Sequence, residues 1–242
     1  VYVPRGVGYS ALKMNFLGKG IEETSEVVFY PMDRNKKCQK VMWTARDMHG
    51  IKKEPFMTAF DDYYATILFQ LTSIRTSYFS KDYAKTWDQI CNYSWNAYLK
   101  NYIRQDGGLE DLARSLVEGE SDSLVRAQIL YDYVRSRLKT AGRTIMWGDD
   151  FNEPKDVYKN AEGTVNEKNI LLINLLNQVG IEAKPLLISK RSLGKIYSAW
   201  VNLRQFNRIL VYARIGGQDW FLNTGSFSAP FGCLTPEYDV GM

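Results

Sequence analysis

The sequence predicts an α+β protein in which helices pack on an antiparallel sheet, preceded by part of a β-sandwich. Three observations carry this. Residues 1–74 break into short runs rich in aromatic and β-branched residues, the pattern of strands. From Thr76 onward apolar residues recur at helical spacing. A helix signalled at Thr164 then runs directly into extended sequence containing Gly216-Gly217, a two-residue hairpin signal. Helices followed by a helix packed on an antiparallel sheet is an α+β arrangement.

The β part holds four expected strands, GVGYSALKMNF, SEVVFYPM, QKVMWTA and YYATILFQL, separated by turn-forming GKG and MDRNKK. Its aromatics are expected to pack in a core, with a glycan-binding surface as the alternative. Trp87, Ile90, Cys91, Trp95, Tyr98 and Leu99 mark a first helix, which places Cys91 on an apolar stripe as a packed thiol. Asp106-Gly107-Gly108 is expected to break that helix, and LEDLARSLVEG to form a second. Ser121 or Asp122 caps a third, with Leu124, Ala127, Tyr131, Val134 and Leu138 on one stripe and Ala141-Gly142 at its end. The segment RTIMWGDDFNEPKDVYKNAE reads as a loop, with Trp147 placed to wall a cleft or anchor the loop.

The central helix carries signals at both ends. Thr164 caps it and Glu167, three residues on, reaches back. Val165, Ile170, Leu171, Leu172, Ile173, Leu175, Leu176 and Val179 cover most faces, so it is a buried helix. Gly180 supplies the left-handed residue that ends it. Strand signals follow, interrupted by the basic and aromatic loop KRSLGKIYSAWVNLR. The domains expected are 1–74, the end of a β-sandwich, and 75–242, the α+β part.

Composition narrows the function classes. The chain has 242 residues, of which 31 are basic and 27 acidic, and the charges are spread along it. That distribution argues against nucleic-acid binding. No apolar run approaches the ~20 residues of a membrane helix. Cys38, Cys91 and Cys233 are widely spaced and have neither disulfide-framework nor metal-ligand spacing, so no cofactor or metal is expected. The chain reads as an excerpt of a longer protein, so the lack of a signal segment carries no statement about compartment. There is one histidine, His49.

The order GTVNEK, helix, GIEAKPLLIS, loop, QFNRILVYARIGGQDWFLNT, PFG resembles the bacterial transglutaminase-like domain, a member of the papain-like cysteine-enzyme fold. MWTARDMHGIKKEPFMTAFDDYYATILFQL is similar to the β domain that precedes such domains in many Bacteroidetes proteins. The resemblance implies a periplasmic or cell-surface location. It also implies a thiol at the first turn of the central helix, a histidine on the next strand and an aspartate on a following one. Such a thiolate is favoured by the helix dipole and by a neighbouring imidazolium, and the carboxylate orients the ring.

Carried over residue by residue, the motif glycine is Gly163, the motif lysine is Lys168, and Glu167 holds the acidic motif position. The nucleophile position is Val165, the histidine position Arg208 (or Ser198 in another register) and the aspartate position Asn223. Valine cannot attack, and arginine stays protonated. With His49 far off in the β part, the sequence points to a catalytically inactive module, with no catalytic residue at Val165, Arg208 or Asn223. Its expected role is binding or structural. Arg208 and Asn223, rimmed by Trp147, Arg191, Tyr197 and Trp200, are candidates to bind a peptide, protein or glycan with an acidic group. The alternatives are a thiol-dependent transglutaminase or peptidase with a non-standard site, and a glycan-binding N-terminal β domain.

Overall fold

A computed structural model describes every residue except 17–19, 49, 56, 58, 84–85, 105, 143–150 and 239–242. His49 and Trp147 therefore lie outside the described residues. The chain divides into two units, Val1–Ile90 with Tyr197–Asn202, and Cys91–Ile196 with Leu203–Met242.

The first unit is antiparallel β. In chain order its strands are β1 (Tyr2–Pro4), β2 (Val7–Met14), β3 (Glu22–Tyr30), β4 (Asp33–Thr44), β5 (Thr66–Arg75) and β6 (Ser80–Asp82). The four long strands overlap those expected from sequence, but β4 begins at Asp33 and takes in most of MDRNKK, expected as a turn, because β3 and β4 turn back on each other over only Pro31 and Met32. β1 and β6 are three residues each, too short to show a period of two. Two three-stranded sheets result, ordered β1-β4-β3 and β2-β5-β6. Trp43 on β4 meets Phe69 on β5 edge-on, with ring centroids 5.3 Å apart, and this contact joins one sheet to the other. Core packing of the aromatics in 1–74 is not met: Tyr2, Phe29, Tyr63, Tyr64 and Phe69 are exposed, and the other described aromatics there are only partly buried. Phe29 sits on β3, an edge strand. Tyr197–Asn202 is tied to this unit by backbone acceptors. Gln70 Nε2 donates to the Val201 carbonyl at 2.5 Å, and Trp87 Nε1 to that of Ser198 at 2.8 Å.

The second unit is α+β, with helices on an antiparallel sheet. Helix α1 (Trp87–Ser94), whose first four residues belong to the first unit, continues as a π-helical turn over Trp95–Leu99, closed by the Lys100 N–H on the Trp95 carbonyl. That extra residue per turn shifts the phase of the apolar stripe. Leu99 is buried, whereas Cys91, expected as a packed thiol, is exposed. Helix α2 spans Gly107–Leu116. Gly107 and Gly108 open it rather than break its predecessor, because the Asp106 carboxylate accepts from the Gly108 and Leu109 N–H groups. Helix α3 (Ser123–Arg137) is capped by Asp122, and its expected stripe residues Ala127, Tyr131 and Val134 are buried. It ends at Arg137, ahead of Ala141-Gly142, because Leu138 turns extended into the short strand β7 (Lys139–Thr140). The expected loop after it contains helix α4 (Pro154–Asn160), started by a proline in its first turn and stopped by Ala161 at φ 50°. Seven residues are too few to show a helical period.

Strand β8 (Glu162–Gly163) pairs in parallel with β7 and delivers the chain to helix α5 (Val165–Gln178). The capping box is formed as the sequence predicts. At the other end Gly180 takes φ +79°, its N–H bonds the Asn177 carbonyl, and the Ile181 N–H bonds the Leu176 carbonyl. This is the Schellman pattern, in which Leu176 and Ile181 also share one apolar core. Strands β9 (Glu182–Ile188), β10 (Arg208–Ile215) and β11 (Gln218–Leu222) form an antiparallel sheet ordered β11-β10-β9. Pro185, which has no N–H to donate, lies on the edge strand β9 opposite Val211. Gly216 and Gly217, both at positive φ, make the β10–β11 turn. Helix α5 is buried between this sheet and helices α2, α3 and α4, with Leu171, Leu172, Leu175, Leu176, Val211 and Leu222 in one core. Among the described residues no helix is long and apolar enough to cross a membrane.

Because two otherwise orphaned N–H groups depend on the capping box, Thr164→Ala should lower stability by about 1 kcal/mol. Urea denaturation followed by circular dichroism would measure the loss.

Candidate functional site

The start of α5 is the most polar part of this core. Asn166, Glu167, Lys168 and Asn169 are all buried in its first two turns. Burying such groups is costly unless each finds a partner, and each does. Asn166 Oδ1 accepts the Ile209 N–H at 3.0 Å. Glu167 accepts the Thr164 N–H at 2.7 Å and, through its other oxygen, the Asn152 N–H and side-chain amide at 2.7 and 2.9 Å. Lys168 Nζ donates to the Leu138 carbonyl and to Thr140 Oγ1 at 2.9 and 3.0 Å, fixing β7 beside the helix. Lys168 is 1% exposed, and burial, with a smaller contribution from the Arg135 charge, lowers its pKa to about 8.

Asn169 reaches furthest. Its amide nitrogen donates to the Ile209 carbonyl at 2.8 Å and to Asn223 Oδ1 at 3.1 Å. Its oxygen accepts the Thr224 N–H and hydroxyl, both at 2.9 Å. One side chain thus ties α5 to β10 and to the segment after β11. That segment is also held from the opposite direction by Tyr131, whose hydroxyl lies 3.0 Å from the carbonyls of both Asn223 and Ala229.

Of the three positions singled out in sequence, Val165 and Asn223 both meet Gly225, and Arg208 lies at the head of β10. Val165 is the first residue of α5, half-buried against Gly225. A Cβ added to Gly225 would lie 2.8 and 3.0 Å from the two Val165 methyls and 3.3 Å from Asn223 Oδ1. Asn223 is 2% exposed, and its oxygen also accepts the Gly225 N–H. Its nitrogen donates to the Tyr238 hydroxyl at 3.0 Å. Arg208 opens β10. Its Nη1 donates to the Asn207 carbonyl at 2.8 Å, while its buried Nε has no partner. Arg208 also acts electrostatically on Tyr238, so both converge on the same phenol. Gly163, the motif glycine, has a packing reason of its own: a Cβ there would come within 2.8 Å of Val157 on α4.

Arg191 begins a 3-10 turn over Arg191–Leu193 in the second unit, whereas Tyr197 and Trp200 group with the first. Sequence reasoning passed over Asn166, Asn169 and Tyr238. The first two had a signal, since amides three residues apart on a buried helix must each meet a partner. Tyr238 had none, because nothing within its turn, Pro236–Tyr238, indicates where it docks.

The surroundings of Tyr238 complete the site. Pro236–Tyr238 forms a 3-10 turn. Lys190 pairs with the Glu237 carboxylate, and its Nζ lies 5.9 Å from the centre of the Tyr238 ring. Burial and the neighbouring Glu237 charge push the Tyr238 phenol up to about 12, against the smaller opposing effects of Arg208 and the Asn223 amide. It is a neutral hydroxyl at ordinary pH. No group of three or more acidic, histidine or cysteine side chains able to hold a metal occurs among the described residues. Cys38 is buried on β4 and Cys233 is exposed.

Neither a protein-family model nor a curated protein matches the chain. Solved structures do. One is described as a "putative protease" from Parabacteroides distasonis; it is 19% identical, with a TM-score of 0.63 over 91% of this chain. The chain spans 38% of that protein's length. Another, a "putative cysteine protease" from Cytophaga hutchinsonii, is 10% identical over 94% of this chain and 70% of its own, with a TM-score of 0.40. At 19% identity the first likeness is one of fold: this chain has the α+β fold of the Parabacteroides protein.

Two outcomes follow from the packing. Gly225→Ala should destabilise the chain by about 1–3 kcal/mol through the Val165 clash. Val165→Ala combined with it should recover part of that loss, which a double-mutant cycle in urea would read. The second concerns Lys168. Between pH 8 and the ordinary lysine value, the unfolded chain holds a proton that the folded chain has released. Stability should therefore rise with pH across that window relative to Lys168→Met, and run parallel to the variant below it. Denaturation midpoints measured from pH 6 to 10 would test this.

Proposed function

We propose that this chain is a non-catalytic module of transglutaminase-like fold, serving a structural or binding role within a larger cell-envelope protein. The observation that carries the reading is the state of the first turn of α5. Its nucleophile position is an aliphatic side chain pressed against Gly225, and the two positions that would serve it hold a guanidinium and a carboxamide. Acyl transfer through a thioester needs a thiolate, a base able to shed its proton, and an orienting acceptor. Val165 supplies no thiol. The guanidinium at Arg208 is a donor with no acceptor site, so it offers a thiol no base. Asn223 spends its oxygen on Asn169 and Gly225 and its nitrogen on Tyr238.

The fold likeness supports the scaffold, and the resemblance in sequence supports the envelope setting. Cys38 lies in the first unit, and Cys91 and Cys233 are exposed in the second.

Peptidase and acyl-transfer assays on the purified chain, with and without iodoacetamide, test the proposal. No alkylator-sensitive turnover is expected. Turnover abolished by replacing any one of Cys38, Cys91 or Cys233 with alanine would establish a thiol enzyme with a non-standard site and end this reading.

A further inference from the structure

The segment that docks on Asn223 and Lys190 is chemically unlike a core element. Pro236 and Glu237 are exposed, the turn is three residues long, and the Tyr238 N–H on the Thr235 carbonyl is a bond within the turn itself. What holds it to the body is a set of polar contacts. Glu237 pairs with Lys190, the Tyr238 hydroxyl accepts from the Asn223 amide, and the ring lies beside the Lys190 ammonium.

The body side of these contacts is preformed. Asn223 is buried and fixed by Asn169 and Gly225. The Lys190 backbone is fixed by its N–H on Asn207 Oδ1 at 2.8 Å, and Asn207 is bonded in turn to Ile188. Arg208 heads the adjacent strand with a buried Nε that has no partner. Without Tyr238 and Glu237, the Asn223 amide N–H, the Lys190 ammonium and the Arg208 guanidinium would be left as neighbouring donors. Donors of that kind take a carboxylate and a phenol oxygen.

We propose that Glu237–Tyr238 is a tethered occupant of a peptide subsite built from Lys190, Asn223 and Arg208, and that the subsite takes an acidic residue followed by tyrosine from another chain once the tether leaves. The inference goes beyond the loss of catalysis and does not depend on it. The tether holds the subsite at high effective concentration, so a free peptide competes poorly until the tether is weakened. Glu237 and Tyr238 supply the two contacts that such a peptide would replace.

The test uses the full chain with Glu237→Ala and Tyr238→Ala together, and a fluorophore-labelled, amidated Thr-Pro-Glu-Tyr peptide as the probe in fluorescence polarisation. The opened variant should bind the probe at least tenfold more tightly than the parent. Adding Lys190→Met to it should lose most of that gain. A probe carrying Gln and Ala in place of Glu and Tyr should bind weakly to both. Equal binding by opened and parent chains, or equal binding of the two probes, overturns the proposal. If the opened variant does not fold, NMR on the parent decides. A saturating excess of the unlabelled peptide should move the Tyr238 ring resonances toward those of a free tyrosine while the amides of α5 keep their shifts, and unchanged Tyr238 ring resonances overturn the proposal.

Discussion

The second unit depends on how the Asn169 side chain is satisfied. It sits in a helix otherwise given to Ile170, Leu171, Leu172 and Ile173, and it is fully buried. An amide in that setting is stabilising only when both its ends are matched, and leaving one unmatched would cost a few kcal/mol. Here the nitrogen takes Ile209 and Asn223, and the oxygen takes the backbone and hydroxyl of Thr224. The apolar faces of α5 would tolerate several rotations and shifts against the sheet. The amide tolerates few, because directional bonds set register where apolar contact sets only proximity.

The same logic extends to the neighbouring residues of the helix. Glu167 closes the capping box and draws Asn152 to the helix start. Lys168 reaches back to Leu138 and Thr140 and so fixes the short β7–β8 pair. Asn166 takes the Ile209 N–H, next to the carbonyl group of the same residue that Asn169 takes. The first two turns of α5 are thus a polar hub linking α3, α4, β10 and the segment after β11, while its later turns are apolar. A helix start with that much fixed geometry is a suitable platform for chemistry. The side chain at its first position, Val165, is used for packing against Gly225.

Much of this was legible in the sequence for physical reasons that act locally. Capping is a contact over three residues, so Thr164 and Glu167 announce the start of α5, and Gly180 announces its end. The Gly216-Gly217 turn needs two positive φ values, and that requirement is visible in the residue types themselves. Where the structure departed from expectation, the cause was short range of another kind or no local cause at all. Gly107-Gly108 looked like a break, but the Asp106 cap converted them into a first turn. Helix α4 is one proline-started stretch too short to display a period. The exposure of Cys91 on α1, ahead of a π-helical turn, was advertised by no residue pattern.

By itself the sequence determined the α+β class, the ends of the buried helix, the hairpin, and the residue types Val165, Arg208 and Asn223 at three related positions. These rest on local backbone preferences and on apolar periodicity, which neighbouring residues encode. Only the tertiary structure decided what those three positions meet. Val165 rests on Gly225, 60 residues away in the chain by their numbers, and Asn223 is shared between Asn169 and Tyr238. Such contacts depend on which strand end faces which helix turn, and that is fixed by the packing of the whole unit. The arrival of Glu237 and Tyr238 over Lys190 is the plainest case, since nothing within the turn itself indicates where it docks.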